Sequence, residues 1–276
     1  MIEIDYKPAD NLSDAVDNLY NIITLLRSPE GCPWDRIQTN QNATESLIDE
    51  SYEYLDGVIK KDIDSQREEI GDVMINVFMN LYIHEENKDF TPQEAINEVC
   101  EKLIRRHPHV FSNSVKAESS EEVLTLWNSV KENVEGKILT SDNIFNHIPS
   151  SLPPMETSYE IQKKLKKVGF DWQDVSGVYE KIQEELEEVR EAVDSGNKND
   201  IELELGDLLF SVVNLARFLH VRPNVALHRT NNKVKYRFTK LFVEAEKRGI
   251  PLDKDHADEM NNIWDEIKLK EESNQY

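Results

Sequence analysis

Glu184-Glu185-Leu186-Glu187-Glu188 is followed, after Ser195-Gly196-Asn197-Lys198-Asn199, by Glu204-Leu205-Gly206-Asp207-Leu208-Leu209. This stretch decides the fold. Glu185 and Glu188 are one helical turn apart, as are Glu204 and Asp207, so each pair shares a helix face. The Ser-Gly-Asn-Lys-Asn segment is turn chemistry between the two helices. An antiparallel helical hairpin therefore faces two acids toward two acids.

Upstream, Asp49-Glu50-Ser51-Tyr52-Glu53 and Glu69-Ile70-Gly71-Asp72 repeat the arrangement. Glu50 and Glu185 stand 135 positions apart, and so do Glu69 and Glu204. Gly31-Cys32-Pro33-Trp34-Asp35 is echoed by Gly169-Phe170-Asp171-Trp172-Gln173. Lys102 and Arg106 are echoed by Lys233 and Arg237, and Trp127 and Lys131 by Trp264 and Lys268. Near-constant offsets of this kind indicate an internal duplication. Breaker residues crowd the segment between the copies, among them Pro149, Pro153 and Pro154. The expected division is a first helical domain over 1–137, a linker over 138–154, and a second helical domain over 155–276.

The rest of the chain agrees with an all-α fold. Only 9 Gly and 10 Pro occur in 276 residues. Apolar residues recur at three- and four-residue spacing, which predicts helices near 11–27, 44–60, 62–85, 91–106 and 119–135. A second set is expected near 155–168, 177–195, 200–220, 224–248 and 256–271. No run reaches the roughly 20 apolar residues of a membrane span, and Met1 to Asp5 lack the pattern of a secretory signal. Two cysteines give no disulfide framework. A cytoplasmic protein with reduced thiols is the expectation. The net charge of −22 repels nucleic-acid polymers, yet leaves room for a small polyanion if divalent cations bind first.

Four carboxylates brought together repel one another unless neutralised. Hard oxygen donors suit Mg²⁺ or Mn²⁺, and magnesium completes its shell with water and substrate phosphates. A di-iron bundle would need Glu-x-x-His pairs, and here the fourth residue is always Glu or Asp. Leu203, Leu205, Leu208, Leu209 and Val212 surround Glu204 and Asp207, which predicts a buried helix. Gly71 and Gly206 suggest a close backbone approach beside the ion.

The pattern Glu-Glu-x-x-Glu followed by Glu-x-x-Asp resembles that of the MazG family of nucleoside triphosphate pyrophosphohydrolases. The second copy matches it throughout, and the first has Asp49 for the leading Glu. Ile104-Arg105-Arg106-His107-Pro108-His109-Val110-Phe111 and Val213-Asn214-Leu215-Ala216-Arg217 are similar to stretches of its two-domain members. The resemblance implies tandem helical bundles, a homodimer, and Mg²⁺-dependent cleavage of a nucleoside triphosphate to the monophosphate and pyrophosphate. It implies that Glu185, Glu188, Glu204 and Asp207 are catalytic metal ligands, with a second set at Glu50, Glu53, Glu69 and Asp72. It further implies substrate contacts by Lys181, Lys233, Arg237, Trp264 and Lys268. Asp200 stands where many members carry a basic residue, and Ser46 replaces Lys181 in the first copy. The second copy is therefore expected to be the main catalytic centre. A nucleotide sensor without turnover and a helical scaffold are the competing expectations.

Overall fold

The computed structural model describes residues 6–112, 116, 119–133 and 144–273, and every described element is helical. The chain divides into two compact units, residues 1–138 and 139–276. Met1 to Asp5, positions 138–143 of the expected linker and the side chain of Lys131 lie outside the described residues.

In the first unit, α1 (Leu12–Arg27) starts where Asn11 accepts the Asp14 amide at 3.0 Å. A short turn, α2 (Pro33–Arg36), carries Trp34 and Asp35. Then α3 (Asn40–Lys60) and α4 (Ile63–Asn87) form the long hairpin. Helix α3 begins four residues earlier than periodicity alone suggests. Thr39 and Asn42 close a reciprocal cap that satisfies the first free amides. Thr91 and Glu94 do the same for α5 (Pro92–Arg106). The unit continues through α6 (Pro108–Phe111) and α7 (Ser120–Asn133). Its core gathers Ile23, Ala43, Met79 and Ile83, with Leu19, Phe78 and Tyr82 packed against them.

The second unit repeats the plan. It runs through α8 (Pro154–Lys167), α9 (Val175–Ser195), α10 (Lys198–Phe218), α11 (Pro223–Arg248) and α12 (Ala257–Ser273). Helices α9 and α10 pack as a hairpin, and α8 lies against α10. Asp174 caps α9 and Asn197 caps α10. The turn between α9 and α10 places Gly196 in the left-handed region, at φ 72°. Its counterpart 135 positions earlier is Lys61, at φ 58°. The two hairpins thus make the same left-handed turn with different residues. A core of Leu241, Ala245, Ile263 and Ile267 joins α11 to α12.

One expectation is corrected. Helix α10 is not enclosed by its own chain: Leu203 is 59% exposed, and Leu205, Leu209 and Val212 are exposed too. Only Ser211, Val213 and Arg217 of α10 are buried. Ser211 and Arg217 line a cleft described below and lie off the leucine band, so an apolar strip of α10 stays open.

Candidate active site

Helix α9 supplies Glu185 and Glu188, and α10 supplies Glu204. One carboxylate oxygen from each comes within 4.8 Å of the others. Asp207, one turn further along α10, lines the adjoining cleft with Glu185 and Lys181. The quartet expected from spacing is thus split, with three acids clustered and the fourth beside them. In the first unit the cluster is Glu50, Glu69 and Asp72, again within 4.8 Å, and Glu53 stands outside it.

Glu185 decides what this cluster can hold. It is 4% exposed. Its Oε1 lies 2.8 Å from the Lys181 Nζ, which also donates to Glu184 at 2.8 Å. Its Oε2 is buried and has no hydrogen-bond partner. A buried carboxylate oxygen without a donor is costly. Glu188 is pushed above the usual carboxylate range. A hydrogen bond to Glu185 that only its protonated form can make comes first, followed by burial and the Glu185 charge. Once both acids ionise, neither can donate to the other. Burial, followed by the charge of Asp72, likewise raises Glu50, and burial followed by the charge of Glu53 raises Glu69. Clustered oxygens with one orphan fit a hard divalent cation. Each acidic cluster could hold a metal.

Lys181 is pushed well above its ordinary value by its hydrogen bonds to Glu184 and then Glu185, so it stays charged beside the cluster. Asp200 sits in the first turn of α10 and accepts from the capping Asn197 at 2.8 Å. The acid there serves the positive end of the helix.

The glycine expectation is corrected. A Cβ at Gly71 or Gly206 would meet nothing within 4 Å, so neither position marks a close backbone approach. Both lie on helix faces that the chain leaves open.

The other expected substrate residues sit on α11 and α12, and none of them lines the cleft. Lys233 is exposed. Arg237 donates to Glu271 at 2.8 Å and lies 6.0 Å from the Trp264 ring centre. Trp264 packs on the α11–α12 core, and Lys268 pairs with Asp265 at 2.9 Å. The first unit repeats the motif, with Arg106 over Trp127 at 5.4 Å.

Sequence reasoning missed the cleft itself, a cavity of about 440 Å³ in the second unit. Phe170 and Trp172 wall it, and Phe210, Asn214 and Arg217 face it from α10. Gln162 faces it from α8. Phe170, Trp172, Asn214 and Arg217 lay in recognised motifs without an assigned role. Gln162 carried no signal, since a single Gln in α8 looks like any solvated helix residue. In the first unit, Met79 stands 135 positions before Asn214. There the Arg27 guanidinium packs 3.8 Å from the Met79 sulfur and donates to Glu86 and to the carbonyls of Asp35 and Gln38. The matching floor is covered by an internal arginine.

The sequence is similar to those of known proteins over both acidic clusters. A MazG nucleotide pyrophosphohydrolase domain matches residues 38–111 and again residues 173–242, spanning both acidic clusters. The nucleoside triphosphate pyrophosphohydrolase/pyrophosphatase MazG of Thermotoga maritima is 39% identical over 93% of this chain and 97% of its own. The nucleoside triphosphate pyrophosphohydrolase of Escherichia coli K12 is 36% identical over 93% of this chain and 98% of its own. A Bacillus subtilis protein called YabN is 37% identical over 91% of this chain, which spans 51% of that longer protein. Two domain matches in tandem and relatives aligned almost end to end make this chain a member of the MazG family.

Proposed function

We propose that the chain is a nucleoside triphosphate pyrophosphohydrolase that cleaves between the α and β phosphates, yielding monophosphate and pyrophosphate. The activities for which the Thermotoga and Escherichia relatives are named support this reading. The observation that carries it is the orphaned, buried Oε2 of Glu185, set among acids of α9 and α10 on the wall of a lysine-lined cleft.

Glu185, Glu188 and Glu204, with Asp207 beside them, would hold Mg²⁺, or Mn²⁺ in its place. When bound, such a cation neutralises phosphate charge and makes a coordinated water more acidic. Lys181 lies beside these acids and can pass one of its N–H donors from Glu185 to a phosphate oxygen, a charge-assisted bond. Glu188, raised above the usual carboxylate range by its hydrogen bond to Glu185, suits the role of proton acceptor from the attacking water. The water oxygen forms the new bond to phosphorus, and pyrophosphate leaves with the electron pair of the broken anhydride. The second unit is the main catalytic centre in this reading, and the first binds metal in a structural, regulatory or weaker catalytic role.

In this reading the chain pairs as a homodimer whose contact covers the open leucines of α10, and it acts in the cytoplasm. Its domains are 1–137 and 155–276, joined by a linker over 138–154. No helix among the described residues is long and apolar enough to cross a membrane. The test is pyrophosphate release from a panel of nucleoside triphosphates with Mg²⁺. Glu204→Ala and Asp207→Ala are expected to abolish release while helicity by circular dichroism is kept. Full activity in either variant overturns the metal assignment, and thermal stabilisation by nucleotide without pyrophosphate identifies a sensor.

A further inference from the structure

Gln162 is the second buried polar group of this cleft left with an unpaired atom. It is 3% exposed, and its Nε2 donates to the backbone carbonyl of Phe210 at 2.7 Å. A carbonyl can only accept, so the amide cannot turn round: the NH₂ end is fixed on Phe210. The Oε1 end is therefore the one left unpaired, and it is buried without a partner. A buried acceptor costs free energy until a donor reaches it.

The surroundings say what kind of donor. Asp207, Phe210, Asn214 and Arg217 fall three or four residues apart on α10, so they form one stripe. It runs about 15 Å, at 1.5 Å per residue, from the acidic cluster to the Arg217 end. Phe170 and Trp172 flank the cleft and remain exposed, a flat apolar wall suited to a planar ring. Trp172 is seated by a missing side chain, because a Cβ at Gly177 would come 2.5 Å from its Cε3. Asn214 Oδ1 accepts from Arg217 Nη2 at 2.8 Å and Nε at 3.0 Å, which leaves its Nδ2 as a donor. Fixed acceptor, available donor and aromatic wall match the edge and face of a nucleobase.

We infer that this cleft holds the base of the substrate, and that the Gln162 carboxamide oxygen reads it by accepting a hydrogen bond from a base N–H. The inference rests on the proposed triphosphate reaction and assigns the part of the substrate which that reaction does not touch. Lys181 and the acids would take the phosphates, and the Phe210–Asn214 half of the stripe the base.

The test compares kcat/KM for nucleoside triphosphates with kcat/KM for ribose 5′-triphosphate, which has no base. Gln162→Met keeps the side-chain volume and removes the acceptor. The preference for nucleotide over the base-free triphosphate is expected to fall about tenfold, the size of one hydrogen bond. Gly177→Ala displaces Trp172 without touching Gln162 and is expected to lower the same ratio. An unchanged ratio in both variants, or an equal loss on both substrates, overturns the inference. A measurement without turnover separates it from the reaction. AMP, CMP, GMP and UMP are titrated against the ¹⁵N-labelled full chain, and the indole N–H signal of Trp172 is followed. At least one is expected to shift that signal in the wild type, and to shift it less after Gln162→Met. Triphosphate cleavage with no indole shift by any monophosphate sinks the base site alone. A shift without cleavage leaves the base site standing and sinks the pyrophosphohydrolase reading.

Discussion

Arg217 and Asp171 form a two-pronged ion pair across 46 residues of sequence, with Nη1 at 3.1 Å from one carboxylate oxygen and Nη2 at 2.5 Å from the other. Arg217 is 5% exposed, so the pair is largely out of water. It ties the segment bearing Phe170 and Trp172 to α10. Asp171→Ala would strand a buried guanidinium, a loss of about 3 kcal/mol for a pair of this kind. Chemical denaturation of the single variants and the Asp171→Ala/Arg217→Ala double variant should show strong coupling, the double costing far less than the sum. Additive losses would mean that the pair does not act as a unit.

Lys181 bonds the acid that would ligate metal, so it competes with the cation until a nucleotide arrives. Lys181→Met should tighten Mg²⁺ binding to the nucleotide-free protein by about tenfold and raise KM for a nucleoside triphosphate by about tenfold, the effect of one charge-assisted bond. Calorimetry and steady-state kinetics read the two effects separately. A KM that stays unchanged removes Lys181 from the phosphate site.

The clustered acids give the metal-free protein an unusual pH response. Glu188 and Glu50 titrate above their ordinary values. An acid whose folded pKa is raised binds its proton more tightly in the native state. Its contribution to stability is full below the ordinary value near 4.5 and is lost as pH rises through the raised one. In EDTA, Glu188→Gln should therefore gain stability relative to the wild type as pH rises from about 4.5 toward neutrality. Thermal melts of the two proteins measure that difference. Mg²⁺ should shrink it, because a bound cation replaces the proton, and Mg²⁺ affinity should fall as pH falls.

Lys61 and Gly196 make the same left-handed turn in the two hairpins. A residue with a Cβ pays about 1–2 kcal/mol there, partly offset by the greater freedom that glycine gives the unfolded chain. Lys61→Gly should stabilise the first unit by about 0.5–1 kcal/mol, and Gly196→Ala should cost the second about 1 kcal/mol. Urea denaturation of each variant checks both signs.

These turns also show where sequence reading succeeds and where it stops. The hairpins, their pairing of acids and their duplication follow from helical periodicity and constant offsets, and Glu185, Glu188 and Glu204 converge as spacing requires. The start of α3 was missed because a reciprocal cap outweighs the apolar pattern. Burial of α10 was misjudged because amphipathicity tells which face is apolar and not which partner covers it. Gln162 was invisible because its importance lies in one atom left over after Phe210 takes the other, a fact of packing between α8 and α10. Lys233, Arg237, Trp264 and Lys268 keep their motif order on α11 and α12 without lining the cleft, because order along a chain does not fix which side chains share a cavity.

In the proposed homodimer the bare leucines of α10 would make dilution a variable of folding. A surface such as that of Leu203, Leu209 and Val212 would then be a cost to a solitary molecule and a gain to a paired one, linking association to folding. The melting temperature should climb with protein concentration, and Leu209→Glu should abolish the climb while sedimentation shows a smaller species. A purification at low concentration would then yield a different protein, in thermodynamic terms, from the one obtained in a crowded cell.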